Sequence, residues 1–318
     1  MWREPDGAQR GSPSISCEVA GGYGESEIRA RRSGPDIGPD RGSDLDVDVD
    51  LVILLTRHGL HAPMVCDALD MRKNVFVEKP LVTTRSQLDD VIDAYARTKN
   101  LHLIVGYNRR FSPISQWLKK QLTGIYEPLG IHIRVNAGAV PRDSWIYDND
   151  EGRGRIIGEI CHFIDLVQFF SGSLITEVFC QSFGNELYHP TDNVAILLKT
   201  QNGSIATINY SSAGDIAYPR ERVEILGGQA VGVLDNFGKA TFSQFGKTKT
   251  NSKSLGIRWG HKELLSSSLQ SILGQKDFPV TFAEYVNNSL ATLAIEESRR
   301  TNKPEMVEKF QIEITGSQ

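Results

Sequence analysis

Three short apolar runs, VDLVILLT (49–56), NVFVEK (74–79) and LHLIVGY (101–107), constrain most tightly what this chain can fold into. Each is apolar throughout rather than alternating. Between them lie stretches with helical spacing, HAPMVCDALDMRK (61–73) and the run from Thr84 to Thr98, whose opening TTRSQ offers Thr83 or Thr84 as a cap. Strands buried on both faces read this way, and parallel strands need long crossovers. The pattern therefore predicts a parallel sheet covered by helices. Ligands of such sheets bind beyond the carboxyl ends of the strands. All three runs end there in polar residues: Thr56-Arg57-His58, Glu78-Lys79-Pro80 and Tyr107-Asn108-Arg109-Arg110. Ionised groups at the end of a buried strand are costly unless paired or used, so the three clusters predict one cleft.

From residue 111 the pattern changes. FSPISQWLKKQL reads as a helix, LGIHIRVNAGA as a strand and RIIGEICHFIDLVQFFSG (155–172) as one helix ending at Gly172. Four strand-like runs follow, joined by Asn-Gly, Ala-Gly and Gly-Gly turns, which predicts an open, largely antiparallel sheet. Residues 244–272 carry no clear pattern, and a long helix covers 281–303. The fold class is α/β: an incomplete Rossmann-like parallel sheet over 46–110, then an α+β domain over 111–318 with a large, mostly antiparallel open sheet and a C-terminal helix. The first 50 residues differ, with no lysine, six arginines, eight glycines and four prolines. Residues 1–45 are expected to be irregular or disordered, or not to be the natural start of the domain, as after a shifted frame or misplaced start codon.

Composition narrows the function. With 40% apolar and 23% charged residues and a net charge of −4, nothing marks a nucleic-acid binder. No apolar run approaches the roughly 20 residues that span a bilayer, and the opening residues lack a signal-peptide core. Cys17, Cys66, Cys161 and Cys180 show no close pairing, so free thiols in a reducing cytoplasm are expected. His58 and His61 could be read as metal ligands but have no third partner nearby in sequence, and no metal is expected. On a helix over 155–172, Ile160, Phe163, Ile164, Val167 and Phe170 form one apolar stripe. His162 then lies on the opposite flank with Gly158 and Asp165, either as a surface histidine paired with Glu159 or Asp165, or facing a site.

The runs LVILLTRHGLHAPMVCDALDMRKNVFVEKPL, GYNRRFSP and DSWIYDNDEGRGRIIGEICHFIDLVQFFSG, with the closing FPVTFAEYVNNSLATLAIEESRRTNKP, resemble the Gfo/Idh/MocA oxidoreductases. The wording is closest to a branch found behind zinc-alcohol-dehydrogenase-like domains. The resemblance spans about Val47 to Val307. It implies a nicotinamide cofactor, NAD or NADP, over the strand ends, and hydride transfer to or from a sugar, polyol or nucleotide-sugar. Lys79 and His162 match the family's catalytic lysine and histidine. Thr56, Arg57, His58, His61, Glu78, Lys79, Pro80, Asn108 and Trp145 would line the cofactor. Lys79, Arg109, Glu159, His162 and Asp165 would face the substrate. The resemblance also implies a cis peptide before Pro80, and a homo-oligomer formed through the open sheet.

Two departures stand out. Relatives carry an aspartate where this chain has Gly158, with Glu159 next to it. The glycine-rich phosphate turn has only a poor counterpart in CEVAGGYGESE, where Gly22 and Gly24 are followed by Glu27 at the third glycine position. The alternative reading is therefore a non-catalytic or truncated relative that serves as a sugar-binding or assembly subunit.

Overall fold

A computed structural model describes residues 17–20, 49–98, 100–252 and 257–310. Four parallel strands form the first sheet, in the spatial order β1 (Cys17–Ala20), β2 (Leu51–Leu54), β3 (Asn74–Val77) and β4 (Leu103–Val105). The register sets Leu54 beside Val77 and Val77 beside Val105, so the three polar clusters leave the sheet side by side. Two helices supply the crossovers, α1 (His61–Asp70) and α2 (Arg85–Ala96). The Thr84 side chain caps α2 by accepting from the Gln87 amide at 3.2 Å.

β1 falls inside the stretch read from sequence as irregular. Its pairing with β2 carries the parallel sheet one strand further than the apolar runs alone indicate. The glycines of CEVAGGYGESE follow β1 directly and lie, with the rest of 21–48, outside the described residues.

The second sheet is built from β5 (Gly130–Asn136), β6 (Ile175–Ser182), β7 (Asn193–Thr200), β8 (Ile205–Ser211), β9 (Glu221–Gly227), β10 (Ala230–Asp235), β11 (Lys239–Gln244), β12 (Lys247–Ser252) and β13 (Glu305–Met306). Its order is β12-β11-β10-β9-β5-β8-β7-β6-β13, antiparallel at every step except the parallel pair β5–β8. Four helices accompany it: α3 (Pro113–Gln121), α4 (Cys161–Ser171), α5 (His261–Ile272) and α6 (Phe282–Thr301). Thr281 and Glu284 cap α6 reciprocally, each side chain bonding the other residue's amide.

The segment 155–172 is not one α-helix. Ile156–Ile160 forms a turn of π-helix that feeds α4. The predicted apolar stripe is buried, but so is the opposite flank: His162 is 5% exposed and Asp165 1%. Aromatic and polar contacts close the two sheets on each other. Tyr95 of α2 stacks on Phe282 of α6 at 3.9 Å. Tyr107, just past β4, donates to Asn288 Oδ1 at 3.1 Å, and Asn288 Nδ2 donates to the Cys161 carbonyl at 2.9 Å.

Candidate active site

The charge of Lys79 is held at the end of β3 by two acceptors from the second domain. The Lys79–Pro80 peptide is cis. Lys79 Nζ donates to the Gly158 carbonyl at 2.9 Å and to Glu159 Oε1 at 3.0 Å. Both acceptors belong to the π turn, whose extra residue lets a carbonyl and a side chain of adjacent residues meet one ammonium. Burial works to raise the Glu159 carboxyl, but the charge and hydrogen bond of Lys79, with Arg109 and Arg220, outweigh it and hold the group below its ordinary range.

The lack of a side chain at position 158 has a steric reason. A Cβ built on Gly158 would lie 2.7 Å from His58 Cε1. The His58 ring fills that space, with Nδ1 3.2 Å from the Gly152 carbonyl and Trp145 edge-on at 4.9 Å. Glu159 brings the carboxylate to Lys79 instead. Burial, then the charge of Lys79, pushes the His58 pKa down to about 4, so its imidazole is neutral at pH 7.

His162 sits beneath the same cleft, its ring 6.1 Å from that of Tyr107. Its Nδ1 is buried and has no partner among the described residues. Burial lowers its pKa well below the usual value, and the charges of Arg109 and Lys79 add to this. The result is a neutral imidazole with an unused ring nitrogen.

Several of the predicted site residues are engaged by protein partners. His61 is fully buried, with Nδ1 2.6 Å from the Pro80 carbonyl and Nε2 3.0 Å from the Thr56 carbonyl. It ties the end of β2 to the Lys79 turn. With both rings on backbone carbonyls, the His58–His61 pair is spoken for as protein structure. Asp165 is taken by Arg110 at 2.6 Å in a buried ion pair that Glu284 joins from α6. Arg109 makes two bonds to Glu221, at 2.9 and 2.7 Å, with its guanidinium over the rings of Phe163 and Trp259. Asp165 and Arg109 thus hold elements together, because a buried charge is stable only when paired. Asn108 is buried and donates through Nδ2 to the Trp259 carbonyl at 2.8 Å.

Thr56, Arg57, Glu78 and Trp145 remain on the open side. Arg57 is half exposed, pairs with Glu151 and lies over the Trp145 ring at 5.5 Å. The Glu78 carboxylate touches the Lys79 amide at 3.3 Å and forms no ion pair among the described residues. It packs so closely on Gly106 that an added Cβ there would meet it at 3.0 Å. A half-buried carboxylate with no ion pair among the described residues, at the carboxyl end of a parallel strand, suits the hydroxyls of a ribose. It makes the described half of this cleft fit the ribose of a nicotinamide dinucleotide. Two contributors had no local signal in the sequence. Arg220 precedes β9 and comes within 3.6 Å of Glu159. His261, at the start of α5, bears electrostatically on His162.

Fold and site together define a two-sheet α/β protein with a lysine–histidine cleft at the ends of parallel strands. Residues 41–107 match the model of the oxidoreductase family's NAD-binding Rossmann fold, and residues 121–231 that of the GFO/IDH/MocA C-terminal domain. The chain belongs to the Gfo/Idh/MocA family. Among its relatives is the uncharacterized oxidoreductase YrbE of Bacillus subtilis, 26% identical over 59% of this chain and 55% of the relative. Another is the myo-inositol 2-dehydrogenase of Thermotoga maritima, 24% identical over 60% of this chain and 58% of the relative. The chain therefore spans little more than half the length of these relatives. A levoglucosan dehydrogenase solved with NADH shares the fold, with a TM-score of 0.72, 20% identity, and coverage of 83% of this chain and 81% of that one.

Proposed function

We propose that the chain is an NAD(P)-dependent oxidoreductase that moves a hydride to or from a carbon of a sugar or polyol. One observation carries the reading: Lys79 is held by Gly158 and Glu159 in the same cleft as a neutral His162 whose Nδ1 has no partner among the described residues. The nicotinamide, when bound, takes or returns the hydride. Thr56, Arg57, Glu78 and Trp145 would hold the dinucleotide. Lys79 orients the reacting hydroxyl through its ammonium N–H groups, and His162 receives the hydroxyl proton at its neutral imidazole. Glu159 positions Lys79. Relatives that carry the name inositol 2-dehydrogenase and the NADH complex of levoglucosan dehydrogenase support a cyclic polyol or sugar as substrate.

The chain also self-associates in this reading, through the open face of the second sheet. Free thiols at Cys66, Cys161 and Cys180 support a reducing compartment, the cytoplasm, and no helix among the described residues is long and apolar enough to cross a membrane.

The test is a calorimetric and thermal-shift titration with NAD⁺, NADH, NADP⁺ and NADPH, followed by turnover on myo-inositol and a sugar panel. Saturable binding of one dinucleotide pair is expected. Lys79→Met and His162→Asn should each lower kcat by about 10²- to 10⁴-fold while leaving that binding in place. Absence of dinucleotide binding in a folded chain would overturn the reading.

A further inference from the structure

We propose that Asp192 is a positioning residue of this cleft: Tyr147 and Arg155 share its carboxylate, which thereby sets together the turn that carries Trp145 and the π turn that holds Lys79. The inference rests on the reading of Trp145 as a contact of the dinucleotide.

Tyr147 and Arg155 stand at the two ends of one excursion of the chain. Its tip reaches the end of β2, where the Gly59 amide donates to the Glu151 carbonyl at 3.1 Å and the His58 ring meets the Gly152 carbonyl at 3.2 Å. Both ends return to one short loop, 189–192, which leads into β7. At the first end the Tyr147 ring stacks on His189 at 4.5 Å. Its hydroxyl donates to Asp192, 2.8 Å from Oδ1 and 3.0 Å from Oδ2. Tyr147 closes a 3₁₀ turn (Trp145–Tyr147), and Trp145 at its start is edge-on to His58 with the Arg57 guanidinium over its ring. At the second end the Arg155 amide donates to Thr191 Oγ1 at 3.1 Å. Gly154 runs so close that an added Cβ would lie 2.7 Å from the same oxygen. Arg155 immediately precedes the π turn, and its Nη1 donates to the Tyr210 hydroxyl at 3.1 Å. Glu159 lies near enough for its charge to act on that hydroxyl as well.

The carboxylate is divided unequally. Asp192 and Arg155 are both 4% exposed, and buried charges are stable only when paired. Yet Arg155 Nε stands 3.7 Å from Asp192 Oδ1, too long for a hydrogen bond, and is buried with no hydrogen-bond partner among the described residues. Tyr147 and the His189 amide, 3.2 Å from Oδ2, take the carboxylate instead. Burial, then the hydrogen bond to Asp192, pushes the Tyr147 pKa up to about 12, so its hydroxyl keeps the proton that makes this bond. A guanidinium is the better-matched partner of a buried carboxylate, and here a half-buried phenol displaces it. An orphaned donor beside an acceptor spent elsewhere gains a bond whenever Tyr147 lets go. Release of the Trp145 turn and closure of Asp192 on Arg155, at the root of the π turn, are therefore one event.

The test reads Trp145 and Arg155 without any ligand, and dinucleotide separately. The full chain, carrying fluorotryptophan and isotope-labelled arginine, is compared by NMR as wild type, Tyr147→Phe and Asp192→Ala, after melting curves establish that each folds. Trp145→Phe and Arg155→Lys assign the two signals, and Trp117 of α3 is the internal reference. Fluorescence titrations give the affinity of each for NADH and NADPH. Tyr147→Phe should displace or broaden the Trp145 signal while Trp117 stays in place. It should slow solvent exchange of the Arg155 Nε proton at least about tenfold, and weaken the preferred dinucleotide at least about threefold. Asp192→Ala should move Trp145 likewise but speed that exchange. If Asp192→Ala does not fold, Tyr147→Phe decides alone, because it removes one hydroxyl. Either signal unchanged in Tyr147→Phe would overturn the proposal. So would a lowered melting temperature with dinucleotide affinity untouched, which would leave Asp192 a stabilising residue only. Movement of both signals in a chain that takes no dinucleotide would uphold the shared carboxylate and sink the oxidoreductase reading. Dinucleotide bound equally by all three proteins would do the reverse.

Discussion

His58 shows how a single side chain can be fixed by its surroundings into one protonation state. It is 8% exposed, its ring lies against Gly158 and Trp145, and the ammonium of Lys79 acts on it through space. Protonating it would place a second cation beside the first. Its pKa in the folded chain, about 4, lies below the ordinary 6.5, so the unfolded chain binds the proton more readily. The stability this contributes is present in full above pH 6.5 and is lost as the pH falls toward and through 4. A shift of that size corresponds to about 3 kcal/mol. Urea denaturation at pH 7.5 and pH 4 should show wild type losing about that much more stability than His58→Asn across the interval. Equal losses would mean that the ring is not held neutral. The residues at the three strand ends were legible as a site because charges have no reason to follow apolar strands unless something meets them. Which of them face inward was not legible. Arg109 finds Glu221 112 positions away and Arg110 finds Asp165 55 positions away, and a buried partner at that distance leaves no mark on the local sequence.

At the scale of elements, the π turn Ile156–Ile160 does the positioning. It supplies the Gly158 carbonyl and the Glu159 carboxylate to Lys79, and it leaves the Gly158 position open for the His58 ring. Gly158→Ala should therefore destabilise the chain by about 1–3 kcal/mol, because the ring at 2.7 Å is itself confined and the turn must give way. Adding His58→Ala should recover part of that loss, and urea melts of the two single variants and the double variant measure the coupling. Additive losses would mean that the clash is relieved elsewhere. The turn was invisible beforehand because its residues continue the apolar spacing of α4, and nothing in 155–172 distinguishes one extra residue per turn from an ordinary helix. β12 is illegible for a different reason. Five of the six residues of β12 are exposed, so this edge strand has no apolar alternation to read. β2, β3, β4 and α2, by contrast, carry their own signals, in short runs of buried apolar residues and in the Thr84 cap.

For the whole molecule, the unevenness of the second sheet is the informative feature. Along β7 burial alternates, with Val194, Ile196 and Leu198 inward and Ala195, Leu197 and Lys199 outward. The outward side continues onto β6 and β8, where Phe179, Gln181, Thr207 and Asn209 line a shallow groove with Ala195 and Leu197. Leu197, Ile205, Leu226 and Val231 are each at least 40% exposed on strands of this sheet. Apolar side chains grouped on one side of a sheet, with charged Lys199 at the margin, resemble the core and rim of a protein interface more than a solvated face. The helices that cover the inward side hold the cleft, so association through the outward side leaves the strand ends of the first sheet free. Self-association through this face should appear in light scattering coupled to size exclusion as a mass of at least twice that of one chain. Leu197→Glu should return the protein to single chains, because the carboxylate would be buried in an apolar contact without a cation. Its melting temperature should become independent of protein concentration, whereas that of the wild type should rise with concentration. A wild type that runs as single chains at every concentration would remove the second copy and leave this face without an occupant.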